Sequence, residues 1–179
     1  IIGIKPEFHQ FDLCDTNKVN EFVKNNSDIS GIIHFAASKA VGESVQNPLK
    51  YYHNNFFSLI NLLESYRDKP INFVFSSSCT VYGEPDTLPV NESAPVKKAA
   101  SPYGNTKQIA EEILEETATA YDNYNIIALH YFNPVGAHES ALIGELPNGV
   151  PQNLLPFITQ TAIGKREKLM VFGDDYDTP

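Results

Sequence analysis

Cysteine is scarce in this 179-residue chain, and basic residues are outnumbered by acidic ones. The two cysteines, Cys14 and Cys79, fit neither a zinc-binding spacing nor a disulfide framework. This scarcity predicts a reducing, cytoplasmic environment. Thirteen lysines and arginines against 22 aspartates and glutamates give a formal net charge of −9, which disfavours nucleic acid or an anionic membrane as a partner.

Long apolar runs and glycine-rich turns are missing as well. No stretch reaches the roughly 18 apolar residues that a transmembrane helix needs, and no secretory signal is visible. The sequence contains no G-x-G-x-x-G turn, so no local glycine motif marks a dinucleotide site. Hydrophobic residues nevertheless make up 42% of the chain, enough to bury a core.

Short apolar runs alternate with longer amphipathic segments along the chain. The predicted strands are residues 9–13, 31–36, 72–76, 126–131 and 168–172. The predicted helices are one that begins after an Asp15 cap, one from Pro48 to Tyr66, one from Pro102 to about Tyr121, and a short one at 154–163. Strands separated by helices predict an α/β fold with a doubly wound parallel sheet.

One helix carries a pair of residues with clear chemical meaning, Tyr103 and Lys107. Residues four apart on a helix lie on one side, with roughly 5–6 Å between their Cβ atoms. An ammonium near a phenol is expected to lower the tyrosine pKa, which would make Tyr103 a general acid or base for a hydroxyl. Taken alone, the pair could equally be an ordinary surface pair.

Three serines, Ser76 to Ser78, end a predicted buried strand upstream of that helix. Ligands in open α/β sheets lie beyond the carboxyl ends of the strands, where hydroxyls could hold a substrate oxygen. A serine cluster that simply starts a turn is an equally good interpretation of these residues by themselves.

The histidines and Cys79 are weaker candidates for chemistry. No histidine lies near Cys79 in sequence, which favours a small packed residue over a nucleophile. His34 and His130 lie in apolar strands and are interpreted as core residues. His53 and His138 lack acidic partners at metal-binding spacing, so no metal site is predicted.

Five segments in a fixed order are more specific than any single motif. They are Phe35–Ser44, Ser76–Gly83, Pro102–Lys107, Tyr131–His138 and Val150–Pro156. Together they resemble the epimerases of the extended short-chain dehydrogenase/reductase family that interconvert UDP-glucose and UDP-galactose. The resemblance implies a Rossmann-like sheet, NAD as hydride carrier, reversible epimerisation at C4 through a 4-keto sugar, a role in galactose metabolism, and a homodimer.

The resemblance also assigns roles to individual residues. The implied catalytic residues are Tyr103, Lys107 and Ser78. The residues implied to bind NAD are Asp12, Leu13, Phe35, Ala36, Ala37, Lys39, Asn54, Ser76, Ser78, Tyr103, Lys107 and Phe132. The residues implied to bind the UDP-sugar are Lys39, Ser78, Tyr103, Asn133, Asn153, Leu154, Met170, Val171 and Phe172. From the residues alone, Asp12 could only cap a turn, Phe35 could be core, and Lys39 could be a solvated loop charge.

The family's glycine-rich turn precedes the position at which this chain begins. The resemblance therefore implies that residues 1–133 form an NAD-binding domain without its first βαβ portion, and that 134–179 begin a substrate-binding lobe. We expect these residues alone to bind NAD poorly. The apolar stripes of the helices at 48–67 and 102–120 could form a dimer face or simply pack on the sheet.

Two alternatives to the epimerase remain. A nucleotide-sugar 4,6-dehydratase or decarboxylase shares the scaffold, but a dehydratase needs an additional acid and base beside the strand end. Here Ser78, Cys79 and Thr80 occupy that place, with no carboxylate before Glu84. A non-catalytic cofactor-binding protein is the second alternative, and nothing in such a protein would require the spacing of Tyr103 and Lys107.

Overall fold

A computed structural model describes residues 3–145, 147, 149–151, 153–171 and 173. The chain divides into two compact units, one formed by Lys5–Phe132 and the other by Ile1–Ile4 with Asn133–Pro179. No helix among the described residues has both the length and the apolar character needed to cross a membrane.

The first unit contains a parallel sheet of three strands in the order β1-β2-β3. The strands are β1 (Gly31–His34), β2 (Ile71–Ser78) and β3 (Tyr124–Tyr131). Ser77 is in register with His130, and Ser78 with Tyr131. Because all strands run the same way, their carboxyl ends meet at one edge of the sheet. The predicted α/β class with a parallel sheet is confirmed.

Helices flank these strands and begin at the signals expected from the sequence. They are α1 (Thr16–Asn25), α2 (Val41–Gln46), α3 (Pro48–Ser65), α4 (Pro102–Ala120) and, in the second unit, α5 (Leu154–Ala162). Asp15 Oδ1 caps α1 by accepting from the backbone N–H of Asn17 at 3.1 Å and of Lys18 at 3.2 Å. Pro48 and Pro102 stand in the first turns of α3 and α4, where a missing N–H is harmless.

The hydrophobic core of the first unit lies between the sheet and its helices. Its members come from every layer: Val19 and Val23, Leu59, Leu62 and Leu63, Ile71, Phe73 and Phe75, Ala110 and Leu114, and Tyr124. The Tyr124 hydroxyl is satisfied within this core by donating to the Leu63 carbonyl at 2.5 Å. This core fixes α4 against β2 and β3, and α4 carries Tyr103 and Lys107.

Several predicted boundaries are wrong. Residues 9–13 and 168–171 form no strand, because a strand needs a paired backbone and neither segment pairs with any described residue. The strand predicted at 72–76 runs from Ile71 to Ser78, so that Ser76–Ser78 form its carboxyl end, as expected. On α3 the buried side chains include Tyr51, Leu59 and Leu63, while Tyr52 is only half-buried.

Candidate active site

The start of α4 is held firmly beside the carboxyl end of β2. Ser101 caps the helix, its hydroxyl oxygen accepting from the Gly104 N–H at 3.1 Å. Close packing follows: a Cβ on Gly104 would lie 3.4 Å from the Thr80 side chain and from the Ala99 side chain. The first two turns of α4 therefore lie directly against the segment that follows β2, with Tyr103 and Lys107 on them.

Lys107 is a buried cation directed at the end of β2. Its side chain is 5% exposed, and its Nζ donates to the Ser76 carbonyl oxygen at 2.6 Å. The ammonium lies 4.6 Å from the centre of the Phe75 ring and 6.0 Å from that of Tyr103. Burial lowers the Lys107 pKa to about 8, while the Glu111 carboxylate acts in the opposite direction.

Tyr103 differs from the expectation in its acidity. Burial is the largest influence and raises the pKa of Tyr103 above its ordinary value of 10.0. Hydrogen bonding by the Ser78 hydroxyl lowers it, and the charge of Cys79 raises it further. The prediction that Lys107 lowers this pKa is wrong for the protein alone, because the ammonium is directed at the Ser76 carbonyl and burial prevails.

Ser78 is buried at the junction between β2 and a short 3₁₀ helix, Cys79–Tyr82. Its Oγ accepts from the Thr80 N–H at 3.3 Å and so caps that helix. The Thr80 hydroxyl is buried and has no hydrogen-bond partner among the described residues. Thr80 lies in this 3₁₀ helix, two residues beyond the end of β2, and a hydroxyl without a partner there suits a polar group of a ligand.

The residues implied to bind NAD come from several segments, mainly the turn before α1 and the loop after β1. Leu13, Phe35 and Ala36 line one cavity of about 410 Å³. Phe35 is 65% exposed and is not core, and Lys39 is also exposed. Asp12 uses one carboxylate oxygen to accept from the Cys14 N–H at 2.8 Å, which closes a local turn.

The remaining members of that set have varied surroundings. Asn54 donates to Asn55 Oδ1 at 3.0 Å. Asn55 in turn accepts from the Ser38 N–H at 2.8 Å and donates to the Thr106 hydroxyl at 3.0 Å, which ties the loop after β1 to α4. Ala37 is half-buried in that loop, and Phe132, just after β3, is 57% exposed.

In the second unit, the residues proposed to bind the sugar nucleotide line two cavities. Asn133, Asn153 and Leu154 line one of about 370 Å³. Asn153 and Leu154 also contribute to one of about 330 Å³, together with Met170 and the cations Arg166 and Lys168. Val171 is 79% exposed, and the predicted contact at Phe172 lies outside the described residues.

Sequence reasoning missed four polar residues around this machinery, namely Asn55, Thr106, Glu111 and His130. Glu111 continues the four-residue spacing of Tyr103 and Lys107, a signal that was available. The others act through contacts between segments far apart in the sequence, which no spacing reveals. Of the two strand histidines, His34 is buried and stacked near Phe75, and burial lowers its pKa to about 4.

Comparisons with known proteins agree with the resemblance. The family model described as GDP-mannose 4,6 dehydratase matches residues 3–178. UDP-glucose 4-epimerase of Yersinia enterocolitica is 50% identical over 100% of this chain and 53% of its own length. The corresponding enzyme of Bacillus subtilis is 50% identical over 99% of this chain and 52% of its own length.

Solved structures give the same picture. UDP-glucose 4-epimerase from Bifidobacterium longum, in complex with NAD+ and UDP, superposes with a TM-score of 0.90 at 44% identity, covering 98% of this chain and 52% of that one. The enzyme from Stenotrophomonas maltophila, with bound NAD and formylated UDP-arabinopyranose, gives 0.88 at 47% identity over 98% and 52%. The chain spans about half the length of the relatives it matches.

Proposed function

The chain belongs to the extended short-chain dehydrogenase/reductase family, as its match to the GDP-mannose 4,6 dehydratase family model shows, and we propose that it carries the catalytic residues of a UDP-glucose 4-epimerase. The observation that carries the proposal is the convergence of Tyr103, Lys107 and Ser78 at the carboxyl end of β2. The epimerases from Yersinia enterocolitica and Bacillus subtilis, each 50% identical to this chain, support it.

The residues of the first unit fit NAD. The cavity along β1 has apolar walls from Leu13, Phe35 and Ala36, which suit a flat ring, and Lys107 offers a buried positive charge. Asp12, Ala37, Lys39, Asn54, Ser76 and Phe132 are proposed to complete the binding set. When bound, NAD would accept the hydride from C4 of the sugar, return it to the other face, and bring a positive charge that favours a phenolate.

The proposed chemistry of the chain itself is proton transfer at the sugar 4-hydroxyl. Tyr103 as phenolate takes the hydroxyl proton while the C4–H bond breaks, and it returns the proton when the C4–H bond reforms on the opposite face. Ser78 holds the same oxygen and relays the proton. Lys107 keeps a positive charge 6.0 Å from the Tyr103 ring throughout.

We assign the sugar nucleotide to the cavities of the second unit. Asn133, Asn153 and Leu154 present amide and apolar groups to one cavity. Arg166 and Lys168 add positive charge to the other, which suits a diphosphate in a chain whose net charge is −9. Met170, Val171 and Phe172 are proposed to lie near the uracil.

The homodimer, the cytoplasmic location and the role in galactose metabolism are also proposals. A second copy would cover exposed apolar side chains on α2 and α3, among them Val45 at 63%, Leu49 at 81% and Phe57 at 47% exposure. Light scattering of the complete protein tests the dimer. A Leu49→Glu variant is expected to give the monomer mass, and a monomeric unmodified protein would refute the assignment.

Replacing Tyr103 by phenylalanine in the complete protein tests the catalytic proposal. Loss of the acid–base group should reduce interconversion of UDP-glucose and UDP-galactose by about 10²- to 10⁴-fold. Tyr121→Phe serves as the matched control, because Tyr121 is 40% exposed at the far end of α4, and its turnover should be unchanged. Near-normal turnover of Tyr103→Phe defeats the assignment, and release of a 4-keto product would favour a dehydratase.

A further inference from the structure

Glu111 lies on the same side of α4 as Tyr103 and Lys107, one helical turn beyond Lys107. Its side chain is 25% exposed, unusually low for a glutamate without a structural partner. The neighbouring Glu112, by contrast, is exposed to solvent. A carboxylate kept away from water needs hydrogen bonds that compensate for its lost hydration.

Those hydrogen bonds come from two adjacent strands. The Ser77 hydroxyl donates to Glu111 Oε1, and His130 Nε2 lies 3.1 Å from Oε1 and 3.2 Å from Oε2. Ser77 in β2 and His130 in β3 are register partners. Glu111 therefore links α4 to both strands at the level of Ser77. On β2, Ser77 lies between Ser78 and Ser76, whose carbonyl oxygen accepts from Lys107.

The hydrogen bonds also assign a direction to each contact of His130. An ionised Glu111 only accepts, so His130 carries its proton on Nε2. His130 Nδ1 then accepts from the Tyr82 hydroxyl, 2.6 Å away. Tyr82 belongs to the 3₁₀ helix that Ser78 caps, and it is 4% exposed. Every member of this chain of contacts then has a hydrogen-bond partner, from Tyr82 through His130 to Glu111.

Glu111 also acts on Lys107 through its charge. The titratable groups that surround Lys107 are Tyr103 and Glu111 on α4 and His34 on β1, and burial keeps His34 neutral at pH 7. Those that face Glu111 in turn are His130 on β3 and Tyr82 on the 3₁₀ helix. Of the causes that shift the Lys107 pKa, Glu111 is the one that raises it.

We propose that Glu111 is a positioning residue for the epimerase reaction, whose negative charge keeps Lys107 protonated and whose hydrogen bonds hold the end of β2 beside Tyr103. This inference rests on the proposed function for its catalytic consequence. Its electrostatic consequence, the protonation of Lys107, can be measured without turnover. Failure of the inference about Glu111 is therefore distinguishable from failure of the proposed epimerase function.

The test replaces Glu111 by glutamine, which keeps the size and removes the charge. Loss of an opposite charge nearby should lower the pKa of Lys107 by about one unit or more. Acetic anhydride, which attacks only the neutral amine, should then label Lys107 several-fold faster at pH 7.5, as measured by mass spectrometry. The alkaline limit of kcat should move to lower pH by the same amount, with a smaller effect on KM. Glu112→Gln, one position further along α4, should change neither.

Each outcome decides the inference. Unchanged labelling and an unchanged pH profile in a folded Glu111→Gln variant overturn it, while an active unmodified protein would leave the epimerase assignment standing. An unmodified protein without epimerase activity refutes the proposed function, and the labelling still tests the effect of Glu111 on Lys107. If Glu111→Gln does not fold, Ser77→Ala removes one of the groups that hold Glu111. Faster labelling of Lys107 is again expected in this variant. Labelling at the unmodified rate would overturn the inference.

Discussion

Replacing Lys107 by methionine should leave the fold at pH 7 as stable as before, or slightly more stable, although it removes a proposed catalytic group. Burial lowers the Lys107 pKa from 10.5 to about 8, which corresponds to about 3 kcal/mol of unfavourable free energy for the buried ammonium. Methionine leaves the Ser76 carbonyl without its donor, which costs about 1–3 kcal/mol, while its thioether can pack on the Phe75 ring. The net effect at pH 7 is a gain of about 0–2 kcal/mol.

The dependence on pH is the sharper part of this prediction. Below pH 8 the lysine is protonated in the folded and the unfolded chain, so the penalty is present in full. Between about pH 8 and 10.5 the folded protein loses the proton first, and the stability of the unmodified protein rises with pH. The Lys107→Met variant lacks this rise. Its advantage should therefore shrink by about 3 kcal/mol across that window.

Denaturant titrations of both proteins at pH 7.5, 9 and 10.5 measure the difference. Other titrating groups cancel, since both proteins contain them. Lys24→Met, in the exposed last turn of α1, is the matched control and should show no such dependence. A difference that stays flat within about 1 kcal/mol, or a loss of several kcal/mol at pH 7.5, would refute the view of Lys107 as a buried, strained cation.

Two further substitutions probe the frame that holds the site. Gly83→Ala should destabilise by at least about 2 kcal/mol, since φ is +61° and an added Cβ would lie 2.7 Å from the Lys98 carbonyl oxygen; Gly42→Ala, with open space around it, should be neutral or stabilising in the same thermal melts. Leu59→Ala, at a position that is 0% exposed, should lower the free energy of unfolding by about 2–5 kcal/mol. Its control, Leu142→Ala at 77% exposure, should lower it by less than about 0.5 kcal/mol. Equal losses of stability in the two glycine variants, or in the two leucine variants, would contradict the packing described.

Much of the fold could be predicted because its signals are local. The Asp15 cap, the first-turn prolines and the alternation of apolar runs with amphipathic segments predicted α1, α3, α4 and the parallel arrangement. Residues 9–13 show where this fails. They have the composition of a strand, but a strand exists only when a second backbone pairs with it, and pairing depends on residues far away in the chain.

The candidate site divides in the same way. Four-residue spacing on a helix placed Tyr103 and Lys107 on one side of α4, because that geometry belongs to the helix itself. The same spacing places Glu111 on that side of α4, but it does not show that Ser77 and His130 form hydrogen bonds with Glu111. Those partners lie on different strands, and only the register of β2 with β3 brings them together.

The sequence by itself determined the α/β class, the helix starts and the pair of Tyr103 with Lys107, since each follows from neighbours within a few positions. Only the tertiary structure decided that the ammonium is directed at the Ser76 carbonyl and that the pKa of Tyr103 is raised and not lowered. The reason is physical: a pKa depends on burial and on every nearby charge, and both are set by packing between segments that the sequence keeps far apart.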